Sequence, residues 1–117
     1  MSNRKILYGY QIRDGEIAVV KEEAIHVRRV FSLYIGGFSY QKISNLLNAE
    51  KIPYSQEAPA WNKHKVKRLL ENPRYIGRDS YPPILDNVVF QETQEHIHKK
   101  TAGYTPKADR PVLRLKA

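Results

Sequence analysis

Few folds can accommodate residues 62–73, NKHKVKRLLENP. Pro73 has no backbone N–H and pushes the residue before it out of the α region, so a helix in this stretch must end by Asn72. Asn62 is a favoured N-cap at the other end. Between them Val66, Leu69 and Leu70 recur at helical spacing, while Lys63, Lys65, Lys67 and Arg68 stand against a single acid, Glu71. A helix of about ten residues is not stable by itself in water. Its apolar side must therefore be packed on other elements, and that packing leaves a strongly positive face outside.

The chain supplies the packing partners. LYGYQIRDGEIAVV, residues 7–20, reads as a β-hairpin. Tyr8, Tyr10 and Ile12 alternate on one side, Ile17 and Val19 alternate on the return, and Asp14-Gly15 is the pair a type I′ turn prefers. Two strands alone are marginal, so the hairpin must lie on something else. The spacing of Ala24, Val27, Val30, Phe31 and Tyr34 predicts a helix over 21–37, with Glu22 and Glu23 favouring its N-terminal end through the helix dipole and Gly36-Gly37 stopping it. A second helix is expected over 39–51, capped by Ser39, burying Ile43, Leu46 and Leu47 with Tyr40 beside them, and ended by Ile52-Pro53.

Residues 54–60 read as a polar loop and Trp61 as a core residue. After the basic helix, Tyr75-Ile76-Gly77 reads as a short strand or extended segment, and Pro82-Pro83 rules out a central strand. Asp86 caps a last helix over about 87–100. From Thr101 onward Gly103, two prolines and scattered basic residues read as a basic, flexible tail or linker over 101–117, which leaves 1–100 as the domain. The expected fold is mainly α with a small N-terminal β-hairpin and a helix-turn-helix-like core.

Composition narrows the function. A length of 117 residues suits one domain with a modest core. The absence of cysteine excludes disulfides and thiolate metal sites and fits a reducing cytoplasm. No apolar run approaches the length of a membrane span. The net charge of +8 draws such a chain to polyanions, of which nucleic acid is the commonest. The charge is also concentrated: residues 61–78 carry +5, residues 79–98 carry −4 and residues 99–117 carry +5. An enzyme is the weakest reading. Ser39, Ser44 and Ser55 lack a nearby His/Asp arrangement. His26, His96 and His98 make no metal set, because His96 and His98 diverge on a helix. No glycine-rich phosphate loop occurs. Neither a cofactor nor a metal is expected.

A helix, a turn and then a basic helix is the plan of a helix-turn-helix, whose last helix enters the DNA major groove. Asn62, Lys63, His64, Lys65, Lys67 and Arg68 would then be free to meet DNA: Arg reads guanine, Asn reads adenine, and Lys more often meets phosphate. The same pattern equally describes an amphipathic helix whose polar side is merely solvated, and the connection between the second and third helices is long for a tight helix-turn-helix.

Seven sequence words break the tie. They are YGY (8–10), VRRVFSLY (27–34), GFSYQKISNLLN (37–48), IP (52–53), Trp61, VKRLLENPRYIG (66–77) and YPPILDNVVFQETQ (81–94). In this order and spacing the chain resembles the recombinase domain of the large serine recombinases, the family of phage integrases and transposon resolvases. The resemblance spans about residues 8–99, and NPRYIG after an amphipathic helix is its most specific part. It implies a domain that binds the flank of each attachment half-site. In that family the domain follows a catalytic domain bearing the serine nucleophile and usually precedes a zinc-ribbon domain.

Neither neighbour is present in these 117 residues. The expectation is an excised domain or natural remnant that does not cleave DNA by itself and binds double-stranded DNA as the recognition module of a site-specific recombinase. Lys63, Lys65, Lys67 and Arg68 are expected to carry most of the affinity, Asn62 and His64 to read bases, and Arg74 and Arg78 to reach phosphates beside the groove. Arg4 and Lys5 would lie where the catalytic domain connects. The expected location is the cytoplasm, on the nucleoid and away from membranes. Two rivals remain: a standalone winged-helix-like transcription or excision regulator, and a domain whose basic helix contacts an acidic protein.

Overall fold

The computed structural model describes residues 6–103. Helix α1, Lys21–Ile35, buries the expected stripe of Ala24, Val27, Val30, Phe31 and Tyr34. It stops where predicted: the N–H groups of Gly36 and Gly37 bond back to the carbonyls of Ser32 and Tyr34, and Gly37 takes φ 107°. Helix α2, Tyr40–Ala49, begins at Ser39, whose hydroxyl accepts from the Lys42 N–H. Ile43, Leu47 and Ser44 are buried on it, while Tyr40 and Leu46 are half-buried. Helix α3 spans Lys63–Glu71, with Val66, Leu69 and Leu70 buried. Helix α4 runs Asn87–Gly103, starting at Asp86, whose carboxylate accepts from the Val88 N–H at 3.3 Å. It continues three residues past its expected end; residues 104–117 of the expected tail, like Arg4 and Lys5, lie outside the described residues.

The hairpin consists of β1, Tyr10–Arg13, and β2, Glu16–Val19, antiparallel with Tyr10 opposite Val19. Asp14 and Gly15 take φ 53° and 79°, the two left-handed residues of a type I′ turn. The alternation fails at Ile12, which is 55% exposed while Tyr8 and Tyr10 are buried. The strands are only four residues long, and the buried Tyr10 lies at the end of the hairpin away from the turn, so the turn end, from Gln11 to Glu16, stands in solvent.

Residues 75–77 are not extended. Pro73–Ile76 form a 3-10 turn that ends at Gly77 with φ 96°. The Asn72 side chain accepts from the Arg74 N–H at 3.1 Å, and Pro73 has its φ fixed, so the chain turns at once instead of running straight. The turn drives Tyr75 into the centre of the domain. Its hydroxyl donates to the Tyr8 carbonyl at 2.7 Å, and its own carbonyl accepts from the N–H groups of Ile84 and Leu85 at 2.8 and 3.0 Å. Its ring lies parallel to Tyr10 and edge-on to Phe31. One residue thus joins the hairpin, α1 and the segment leading into α4.

Gly9 is the second junction. It takes φ 105°, its N–H donates to the Glu23 carboxylate at 2.8 Å and its carbonyl accepts from Val20 at 2.9 Å. Glu23 is therefore more than a dipole or surface residue: it fastens the start of the hairpin to α1.

Candidate nucleic-acid interface

Helix α3 is fixed at both ends before its outer face is considered. At the start, the Asn48 amide brackets Trp61: the Trp61 N–H donates to Asn48 Oδ1 at 2.8 Å and Asn48 Nδ2 donates to the Trp61 carbonyl at 3.0 Å. The indole N–H donates to the Ile52 carbonyl at 2.9 Å, which leaves the buried Trp61 as the peg between α2 and α3. Asn62 then caps α3, its Oδ1 accepting from the Lys65 N–H at 2.9 Å. At the far end Gln94 Nε2, on α4, donates to the Leu70 carbonyl at 2.7 Å. Val66, Leu69 and Leu70 press against the core between these anchors.

The outer face carries Lys63, His64, Lys67 and Arg68, all exposed. Spacings of three and four residues put them side by side on the helix. Among the described residues none of the four makes an ion pair or hydrogen bond through its side chain, so their donors and charge are open to a partner. Asn62 is exposed as well, but its oxygen is committed to the cap and Nδ2 is its uncommitted donor. Arg74 and Arg78 sit beyond the C-terminal end of α3, in and after the 3-10 turn. Arg74 is held by Asp79 at 2.9 Å and lies 5.8 Å from the Tyr81 ring centroid. That pair is exposed, and such pairs are worth about 1 kcal/mol or less, so a phosphate competes with it easily.

Lys65 differs from its neighbours. It is half-buried, its ammonium donates to the Ala60 carbonyl at 2.6 Å, and it lies 4.5 Å from the Tyr54 ring centroid. Burial, and then the charge of Arg68, hold its pKa below the usual lysine value.

Sequence reasoning missed two residues that build this face. Nothing in the sequence sets Asn48 apart from other polar residues near a helix end. Tyr54 was assigned to a polar loop, yet it is half-buried, parallel to Tyr8 at 5.8 Å and edge-on to Trp61 at 5.1 Å. The loop is closed by its own bonds, from the Tyr54 N–H to the Pro59 carbonyl and between Ser55 Oγ and Ala58. Loops have no hydrophobic period, so pattern offers no way to assign an isolated aromatic there.

Ser39, Ser44 and Ser55 are structural. Ser39 caps α2, buried Ser44 donates to the Gln41 carbonyl at 2.8 Å, and Ser55 closes the loop. A concavity of about 390 Å³ between α1 and residues 84–89 includes no residue of α3. No helix among the described residues is long and apolar enough to cross a membrane.

The fold and this face define a helix-turn-helix-like domain: α3 is seated on α2, braced by α1 and α4, and presents an unpaired cationic side. The family model for the recombinase domain matches residues 21–100, and the chain belongs to the recombinase family. Two solved structures share the fold. One, a crystal structure of an LSR–DNA complex, aligns with a TM-score of 0.67 at 18% identity over 86% of this chain and 34% of that one. The other, which concerns the sequence requirements of the Listeria innocua prophage attP site, aligns with a TM-score of 0.65 at 16% identity over 92% of this chain and 50% of that one. The chain therefore spans half or less of the proteins it resembles.

Proposed function

We propose that this chain binds duplex DNA sequence-specifically, as the attachment-site recognition module of a site-specific serine recombinase. One observation carries the reading: α3 is anchored at both ends, and Lys63, His64, Lys67 and Arg68 project from it with no partner among the described residues. Membership of the recombinase family and a fold shared with an LSR–DNA complex support it.

The dimensions are compatible with groove entry. With its side chains an α-helix is about 10–12 Å across, and the major groove, about 12 Å wide, admits it. Asn62 and His64 lie in the N-terminal turn, the part of such a helix that reaches base edges. Lys63, Lys67 and Arg68 neutralise phosphates along the groove walls, and Arg74 and Arg78 reach the backbone beyond the C-terminal end. On this reading the segment recognises and does not cleave. Cleavage belongs to a catalytic serine recombinase domain in the parent protein, with a zinc-ribbon domain as a further DNA-binding partner, all acting on the nucleoid in the cytoplasm.

The test is selection of bound duplexes from a random pool, followed by titration of the selected duplex at several salt concentrations. An asymmetric motif of about one helical turn is expected. Lys67→Met and Arg68→Met should each weaken binding and reduce the salt slope by about 0.9, the loss of one phosphate contact. A palindromic motif would favour a dimeric regulator. Absence of binding at low salt, or affinity unchanged when Lys67→Met and Arg68→Met are combined, would overturn the proposal.

A further inference from the structure

Four cations lie on α3, and only Lys65 is turned inward. Its ammonium is hydrogen-bonded to the Ala60 carbonyl at 2.6 Å and sits over the Tyr54 ring at 4.5 Å from the centroid. Ala60 and Tyr54 are the two ends of the loop that precedes Trp61. That loop is closed by its internal bonds, and Lys65 ties it to the first turn of α3. The ammonium keeps two further donors, but to reach outward to a phosphate beyond this position it would leave the carbonyl and uncover the face of Tyr54, a ring that also packs on Tyr8 and Trp61. Lys63, Lys67 and Arg68 have no such contacts to give up.

We propose that Lys65 is a positioning residue and not a DNA contact: it latches loop 54–60 onto α3 and fixes the surface that this loop presents beside the groove-entering end of the helix. The latch stands on geometry alone; its consequence for recognition rests on the DNA-binding reading above. With the latch closed, exposed Gln56 and Glu57 at the loop tip hold one place relative to Asn62 and His64. With it open, the same bases meet a loop that samples several places, and discrimination falls while phosphate contacts persist.

Two measurements separate the latch from its consequence. In the free protein, NMR should show the Lys65 methylene protons shifted upfield by the Tyr54 ring, a shift that disappears in Tyr54→Leu. Lys65→Met should accelerate exchange of the Tyr54 and Ala58 amide protons. On DNA, Lys65→Met should keep the wild-type salt slope, whereas Lys67→Met and Arg68→Met each lose about 0.9. The same variant should lose about tenfold in its preference for the selected duplex over random duplex, roughly the worth of one charge-assisted hydrogen bond. Lys65→Arg, which also offers a donor and a flat cation to the ring, should restore that preference. A salt slope reduced by about 0.9 in Lys65→Met would make Lys65 a phosphate contact and overturn the proposal, as would unshifted methylene protons with unchanged amide exchange. If the NMR signatures appear but the wild type binds no duplex, the latch stands and the DNA-binding reading fails.

Discussion

Replacing Gly9 by alanine tests the junction that seats the hairpin. A Cβ at this position would stand 3.0 Å from Ile84 Cδ1, 3.3 Å from Val27 Cγ2 and 3.6 Å from Tyr75 Cε1. The Ile84 methyl is the end of a flexible side chain and can yield. Val27 cannot yield as easily: it is fully buried on α1, and a β-branched residue in a helix has one strongly preferred rotamer. Forcing a methyl into a packed core costs about 1–3 kcal/mol. The backbone adds a second term, because φ is +105° and a side chain at such a position costs a further ~1–3 kcal/mol.

The sum, about 2–6 kcal/mol, is a large part of the ~5–15 kcal/mol that holds a small domain folded. Gly15→Ala is the control. Its φ is +79°, but nothing lies within 4 Å of the added carbon, so only a backbone cost of about 1 kcal/mol remains. Urea unfolding followed by the fluorescence of Trp61, the only tryptophan and buried in the core, reports both variants. Gly9→Ala should lower the midpoint by at least twice as much as Gly15→Ala, and lower the Tm by roughly 10 °C or more. Equal losses in the two variants would show that the contacts around Gly9 do not carry the cost, and the packing argument would fail.

Three further outcomes follow from local geometry. Asn62→Ala should cost about 1 kcal/mol in thermal melting by removing the α3 cap, whereas Asn62→Asp should keep the cap and the stability but weaken duplex binding, because it places a carboxylate among phosphates. Glu50 is held below its usual pKa, mainly by the hydrogen bond from Arg29, so its contribution is present above the unfolded-state value and is lost as pH falls through the folded-state value. The difference in urea midpoint between wild type and Glu50→Gln at neutral pH should close below about pH 4. The Tyr10 hydroxyl is pushed up to about 12 by burial and by nearby Tyr81, so the fold favours its neutral form. Its contribution is complete below the unfolded-state pKa of about 10 and is lost as pH rises towards 12; the wild-type midpoint should fall more steeply across that window than that of Tyr10→Phe.

The elements with a period were legible in the sequence. The stripe from Ala24 to Tyr34, the pair Ser39 and Asn62 as caps, the Asp14-Gly15 turn and Val66, Leu69 and Leu70 as the buried side of α3 all follow from rules that act within a few residues. Each of those signals is local, so no knowledge of the rest of the chain is needed to use it. The cation-rich side of α3 was legible for the same reason: what remains after the apolar side is buried must face out.

Tertiary structure decided what depends on residues distant in sequence. Tyr75 reads as part of an extended segment until the Tyr8 carbonyl, 67 residues away, is there to receive its hydroxyl. Glu23 reads as a dipole partner until Gly9 donates to it, and Ile12 as inward until the short strands leave its end of the hairpin in solvent. The same holds at the candidate interface. Lys63, Lys65, Lys67 and Arg68 are indistinguishable as charges in a sequence; the loop that returns Ala60 and Tyr54 to the first turn of α3 sets Lys65 apart. Periodicity fixes which side of an element is buried, because that is a property of its own geometry. Which polar groups are engaged and which stay open depends on what the rest of the chain brings alongside.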